Sequence, residues 1–174
     1  MTALSSFEVL SQSLIPDAGT TIPYVVQAYF VQVSFPNGGT TDPVTFDLTF
    51  EETTNFTQGV GTSGILAQYI NEEGQVIEYT SSFESDSKFG FLNQQISPGQ
   101  TKIYSVTVAP PSAANAAVPQ SGTGWRGVAV LNPSTAGLLV ASPTARQIYF
   151  TGNLQEITDS VVYAVPTVSG GTLI

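Results

Sequence analysis

The sequence predicts an all-β protein, a single antiparallel β-sandwich of the immunoglobulin-like or jelly-roll kind with about ten strands and little helix. Three observations support this fold class. Apolar and polar residues alternate in short runs, which is the period of a half-buried strand. Clusters of glycine, proline and asparagine interrupt the chain at intervals of roughly 8 to 15 residues. No segment shows a convincing amphipathic helical period.

The clearest strand patterns lie in the first third of the chain. Residues 24–35, YVVQAYFVQVSF, are β-branched or aromatic on both faces, so we predict a long central strand. PNGG at 36–39 predicts a turn, because asparagine and glycine tolerate positive φ. Residues 44–50 alternate strictly, which predicts a half-buried strand. Its inward face consists of Val44, Phe46, Leu48 and Phe50.

The middle of the chain predicts a hairpin. Residues 65–70 and 76–83 form its two arms, and NEEG at 71–74 forms the turn between them. The alternative is a helix that begins at residue 65 and runs through NEEG. In that helix, Glu72 and Glu73 would lie at the negative end of the helix dipole, which is unfavourable.

Residues 109–124, APPSAANAAVPQSGTG, predict a long loop, because proline, alanine, serine and glycine recur there without a period. A split into two domains at this loop is an alternative, but the roughly 50 residues after it would form a marginal core alone. We therefore predict one domain over residues 1–174, with a flexible tail at 168–174. A strand precedes the loop at 102–108, with Tyr104, Val106 and Val108 on one face, and four follow it at 125–131, 138–141, 146–150 and 160–165.

The charge balance argues against nucleic acid and anionic membranes as partners. Thirteen acidic and four basic side chains give a formal net charge of −9. The basic residues, Lys88, Lys102, Arg126 and Arg146, are scattered, so no patch can neutralise several phosphates. Only 10% of the residues are charged. A surface with few long charged side chains loses less conformational entropy and less hydration free energy when another protein covers it. We expect other protein subunits, including copies of this chain, as partners in a homo-oligomer.

The chain lacks most of the residues that catalysis requires. Without cysteine or histidine it can form no disulfide, thiolate or imidazole metal site, or serine–histidine–aspartate triad. Gly59, Gly61 and Gly64 match G-x-G-x-x-G, but polar residues precede them where a nucleotide site needs a buried strand, so we predict a flexible loop. Residues 85–88 match S-x-x-K, and Asp17 precedes Ala-Gly, yet neither has the accompanying motifs. We predict no catalytic residue and no cofactor.

Carboxylate chemistry is the enzymatic route that the sequence leaves open. A β-sandwich glycosidase needs two carboxylates about 5 to 10 Å apart. Asp47 with Glu51, or Glu78 with an acid on a neighbouring strand, could supply them. The acidic pairs at 51–52 and 72–73, with Asp42 and Asp47, could instead donate oxygens to calcium. Solvated turn acids explain the same residues more simply, so we predict no metal site and no enzyme.

Three residues are candidates for assembly contacts. Trp125 begins a strand after a glycine-rich segment, which favours a place in the core or an interface over an exposed stacking platform. Leu173 and Ile174 follow Gly-Gly at the end of the chain and could insert into a neighbouring subunit as an arm. The alternative for this arm is a disordered tail.

These observations predict a non-catalytic structural protein that decorates or cements a large particle, such as a virion capsid or tail. The alternative is a carbohydrate- or ligand-binding module, which could use calcium, in adhesion or signalling. The first residues lack the basic and long apolar segments of a signal peptide. No run reaches the roughly 18 apolar residues of a membrane span. We therefore expect a protein that is made in soluble form and resides in a virion or another large assembly.

Overall fold

The computed structural model describes residues 2–13, 24–38, 41–55, 65–83, 89–108, 123–150 and 156–170. These residues form ten strands and one helical turn. In chain order the elements are β1 (Thr2–Ser13), β2 (Tyr24–Ser34), β3 (Val44–Asn55), β4 (Ile65–Ile70), β5 (Val76–Glu78), α1 (Thr80–Phe83), β6 (Gly90–Ile96), β7 (Thr101–Val108), β8 (Thr123–Pro133), β9 (Val140–Phe150) and β10 (Ile157–Ala164).

The predicted antiparallel all-β class with little helix is confirmed. Every strand pair that the structure describes is antiparallel. The strand order is β5-β4-β7-β2-β1-β8-β3-β6, with β9 on β2 and β10 on β9. No helix in the described part of the chain has the length and the apolar run that crossing a membrane requires.

The sheet divides at β2, and this division gives the molecule its shape. One edge of β2 pairs with β9 along the whole strand. The other edge pairs with β1 over residues 24–27 and with β7 over residues 28–34. The sheet therefore has a corner where β1 separates from β2 and β7 takes its place. Because β1 also pairs with β8, the sheet continues around this corner as one hydrogen-bonded surface. The strands therefore form a curled half-barrel rather than the closed two-sheet sandwich that the sequence predicts.

The core lies inside the curl. Both predicted alternating strands are confirmed, because the inward residues of β3 and β7 are buried and the intervening residues are more exposed. One apolar cluster contains residues from both sides of the predicted loop at 109–124, such as Val31 and Leu131. The predicted central position of β2 is also confirmed, since it has strands on both edges.

The predicted hairpin is confirmed in its first part. β4 pairs with β5 around the turn at 71–74, so the helical alternative for this segment is wrong. The second arm ends at Glu78 rather than at residue 83. Thr80 begins a helical turn instead, in which Phe83 donates its N–H to the carbonyl of Tyr79 at 2.8 Å.

Three strands differ from their predicted form because of local irregularities. β1 and β6 are strands that the sequence patterns did not predict. A register shift between Ala3 and Ser5 interrupts the alternation of β1, and Asn93 has a positive φ of 52° within β6. The predicted strands at 138–141 and 146–150 are joined in one strand, β9, which begins at Val140 rather than at residue 138 and contains Pro143.

Pro143 is accommodated where the β9–β10 ladder ends. Its carbonyl accepts the N–H of Val165 at 3.0 Å, just after the last residue of β10. The N and C=O of one strand residue point to the same edge, so the missing N–H of Pro143 faces the position where β10 has ended. The proline therefore costs the sheet no interior hydrogen bond.

Candidate functional site

The most exposed strand of the described chain is β10. Seven of its eight residues are exposed and the eighth, Val161, is partly buried. Ile157, Val162 and Tyr163 are 63%, 53% and 47% exposed, although they are large apolar side chains. We call β10 together with residues 144–150 of β9 the β9–β10 wing.

One edge of β10 has no neighbouring strand among the described residues. Val165 donates its backbone N–H to Pro143 of β9. Every second residue of a strand points its N–H and C=O groups to the same edge, so Val161 and Tyr163 also point theirs toward β9. Ser160, Val162 and Ala164 therefore point theirs away from β9. The N–H of Ser160 agrees with this assignment, because it donates to the carboxylate of Asp159 at 2.7 Å rather than to a carbonyl of β9.

This outer edge has few of the features that protect exposed strand edges. Natural edge strands usually carry lysine, proline, bulges or inward-pointing charges that prevent pairing with another chain. Residues 160–164, SVVYA, contain no charge and no proline. The register shift between Ile157 and Asp159 and the acid Asp159 itself lie only at the beginning of the strand. The outer edge is therefore chemically competent to accept another strand.

Hydrogen bonds among side chains hold the wing to the half-barrel. The amide oxygen of Gln147 accepts the hydroxyls of Tyr149 at 3.0 Å and Tyr163 at 3.4 Å. The amide nitrogen of Gln147 donates to Gln27 of β2 at 3.5 Å, and Gln27 donates to the carbonyl of Glu8 at 3.3 Å. These side-chain bonds connect β10 to β9, β9 to β2 and β2 to β1.

A cavity of about 350 Å³ opens at the corner where β1 leaves β2. Its polar groups include the ion pair between Glu8 and Arg126, whose closest atoms are 2.6 Å apart. Beneath it, the hydroxyls of Tyr29 and Ser5 are hydrogen-bonded, and burial raises the pKa of Tyr29 to about 12. We call this space the junction cavity, and its lining includes Phe7, Glu8, Gln27, Tyr29, Arg126 and Val165.

The described basic side chains contact groups of their own chain. Lys102, Arg126 and Arg146 lie on three different strands, β7, β8 and β9. Lys102 lies 3.3 Å from Glu72 and donates to the carbonyl of Gln95, Arg126 pairs with Glu8, and Arg146 lies 4.8 Å from the ring centre of Phe30.

Trp125 lies in the core, where the sequence allowed either a core or an interface position. Its side chain is 2% exposed. Its ring centre is 4.6 Å from that of Phe7 and 5.9 Å from that of Phe50. Its indole N–H donates to Glu52 at 3.1 Å. Burial and these contacts make Trp125 a core residue in the described part of the structure.

The candidate catalytic carboxylates do not form a pair. Asp47 accepts the backbone N–H of Asn93 at 2.8 Å. Glu51 lies four positions further along β3, which places the Cα atoms of Asp47 and Glu51 about 13 Å apart. Glu78 accepts the N–H of Thr80 at 2.7 Å, and hydrogen bonding from the side chain of Thr80, followed by this backbone bond, lowers the pKa of Glu78. Within the described ranges, no three acidic side chains come together as metal ligands would.

The other candidate residues lie outside the described residues. They are the glycines Gly59, Gly61 and Gly64, residues 85–88, Asp17, and the tail residues Leu173 and Ile174.

Sequence patterns missed the wing as a candidate site, although they predicted a strand at 160–165. The available signal was the run SVVYAV, which is apolar at successive positions and has few charges near it. Such a run fits a buried strand equally well, so the pattern alone does not indicate exposure. Comparisons of the chain with protein-family models, with curated proteins and with solved structures gave no match.

Proposed function

We propose that the protein is a non-catalytic structural subunit that assembles into a large particle, such as a virion capsid or tail, by burying the β9–β10 wing. The observation that carries this proposal is the exposure of Val162 and Tyr163 on a strand that adds little to the core. Burial of apolar surface contributes about 25 cal/mol per Å². The wing therefore supplies a driving force that the isolated chain leaves unused.

The surface composition supports the same function. Charged residues make up 10% of the chain, against roughly 25% in an average soluble protein. Interface centres are depleted in charged residues and enriched in tyrosine. The wing has this character, since its segment 160–164 carries no charge and contains Tyr163, and Tyr149 lies on the neighbouring strand.

The wing variant Val162→Ser/Tyr163→Ser is expected to lose self-association. The wild-type chain should sediment as a species heavier than the monomer at high concentration, because its apolar wing is buried between copies. The variant should sediment as a monomer over the same range. Sedimentation velocity as a function of concentration measures both, and circular dichroism checks that the variant is folded.

The matched control is Val76→Ser/Val168→Ser. These two valines are 63% and 69% exposed, so the control removes as much exposed apolar surface away from the wing. It should associate like the wild-type chain. A wild-type protein that is monomeric at every concentration, or a control that dissociates as the wing variant does, would contradict the proposal.

The junction cavity favours a second function, binding of a neutral carbohydrate or a similar polar ligand. An amide from Gln27 and the ion pair of Glu8 with Arg126 converge on this cavity of about 350 Å³. Binding pockets commonly combine an apolar floor with a few placed polar groups. Here Phe7 and Val165 supply apolar lining beside those groups.

If the cavity binds carbohydrate, neutral oligosaccharides should raise the melting temperature of the wild-type chain by a few degrees. Gln27→Ala should abolish this shift, because it removes a polar group from the cavity. Gln32→Ala is the control, since Gln32 lies on the same strand but is exposed and outside the cavity lining. Differential scanning fluorimetry with and without calcium makes the measurement, and the absence of any shift would contradict this function.

A further inference from the structure

We infer that two copies of the chain pair through the outer edges of β10, antiparallel and about a two-fold axis at Val162. The two half-barrels then share one continuous sheet. This inference rests on the proposed function, because it specifies the partner of the wing and the register of the contact.

The backbone of β10 supplies the hydrogen-bonding groups for this contact. Ser160, Val162 and Ala164 direct their N–H and C=O groups away from β9, as the bonds of Val165 and Ser160 indicate. In an antiparallel pair, residues that exchange both bonds lie directly opposite each other. Only such outward-pointing residues can form these pairs with a second copy.

A two-fold axis at Val162 uses all three outward residues. Val162 then lies opposite Val162 of the second copy, and Ser160 lies opposite Ala164. This register forms about four backbone hydrogen bonds while the N–H of Ser160 stays with Asp159. An axis at Val161 would move the outer pairs into the register shift at Ile157, and an axis at Tyr163 would bring Ser160 opposite Pro166, which has no N–H.

The side chains on both faces fit this register. On one face, the two copies of Val162 are in direct contact, flanked by the small side chains of Ser160 and Ala164. On the other face, Val161 lies opposite Tyr163 of the second copy. Aromatic side chains opposite β-branched ones contribute roughly 0.2 to 1 kcal/mol per pair in antiparallel sheets.

The charges of the two copies stay apart in this arrangement. The two Asp159 side chains are separated by six positions, about 20 Å along the strand. Arg146 lies beside Val162 on β9, so the two arginines are three strand spacings, about 14 Å, apart. Both separations exceed the Debye length of about 8 Å at physiological salt. A second copy therefore fits the edge without a direct like-charge contact, although each chain is acidic.

The contact is small, which sets its strength. Stable interfaces bury about 1,200 to 2,000 Å² in total. Pairing of one five-residue segment covers much less, so we expect a weak dimer in solution. The same contact strengthens within a particle, where other contacts keep the copies close together.

Single cysteines test the register, because the chain has none of its own. With the axis at Val162, two Val162→Cys residues have Cα atoms about 5.5 Å apart, which suits a disulfide. Two Val161→Cys residues are about 8 Å apart, beyond the limit of about 7 Å. Under mild oxidation the full-length Val162→Cys protein should shift to the dimer mass on non-reducing gels, and Val161→Cys should stay mainly monomeric.

Mixing variants gives a second test. Ser160→Cys mixed with Ala164→Cys should form a disulfide-linked dimer, whereas each variant alone should not, because only residue 160 of one copy lies opposite residue 164 of the other. Sedimentation of the wild-type chain separates the two proposals. If the wild type associates but these disulfides do not form selectively, the register is overturned and the proposed function stands. If the wild type is monomeric and no disulfide forms, both are overturned.

Discussion

Replacing Gly127 with alanine is expected to lower the free energy of unfolding by about 3 kcal/mol. Gly127 is buried in β8, opposite Glu52 of β3. A Cβ atom at this position would overlap the carbonyl oxygen of Glu51 and lie 2.9 Å from its carbonyl carbon. These are backbone atoms, so the clash is relieved only by moving a strand.

A bulge in β3 explains this close approach. The register between β3 and β8 shifts between Glu52 and Thr54, which leaves Thr53 as an extra residue. Bulges bend the strand that contains them and increase its local twist. A glycine opposite a bulge accommodates that approach because it has no side chain.

Gly38→Ala is the matched control for this prediction. Gly38 is exposed, and no heavy atom lies within 4 Å of the position that its Cβ would take. Its substitution should change stability by less than about 0.5 kcal/mol. Urea denaturation followed by circular dichroism measures both variants. Equal midpoints for the two would show that the backbone approach at Gly127 is unimportant.

Raising the pH from 10 to 12 is expected to cost about 2 kcal/mol of stability through Tyr29 alone. Burial raises the pKa of Tyr29 from its ordinary value of 10.0 to about 12. The unfolded chain therefore loses this proton first, and ionisation favours unfolding. The contribution is present below pH 10 and is lost as the pH rises through about 12.

Tyr104 adds to the same dependence. Burial raises its pKa, and the nearby Tyr69, Glu72 and Tyr79 act in the same direction. Its hydroxyl donates to the side-chain oxygen of Gln94 at 3.3 Å, within the core. The loss of stability is therefore expected to continue at higher pH than the pKa of Tyr29.

The double variant Ser5→Ala/Tyr29→Phe isolates the share of Tyr29. It removes the ionising group without leaving the hydroxyl of Ser5 buried and unpaired, which would cost about 1 to 3 kcal/mol. Ser5→Ala alone keeps the phenol and is the control. Denaturation at intervals of pH should give a shallower decline for the double variant than for the control. Parallel declines in the two proteins would exclude Tyr29 as the source.

The candidate site was less predictable than the fold class. Trp125 could be placed in a core or an interface from its neighbours, but its burial depends on Phe7 and Phe50, which are distant in sequence. The separation of Asp47 and Glu51 follows from their position on one strand, once β3 is known to be extended. The sequence did not predict the exposure of Val162, because the exposure of a residue depends on which segments pack around it in the fold.

The sequence by itself determined the antiparallel all-β class and the inward faces of β3 and β7, because side-chain alternation is a local property of a strand. It also determined that neither imidazole nor thiol chemistry is available. Only the tertiary structure decided the half-barrel and the place of each apolar strand. Residues 24–35 and 160–165 are both apolar on two faces, yet β2 is central and β10 lies at an edge. The physical reason is that a strand becomes central when distant segments pair with both its edges, and no local pattern encodes that pairing.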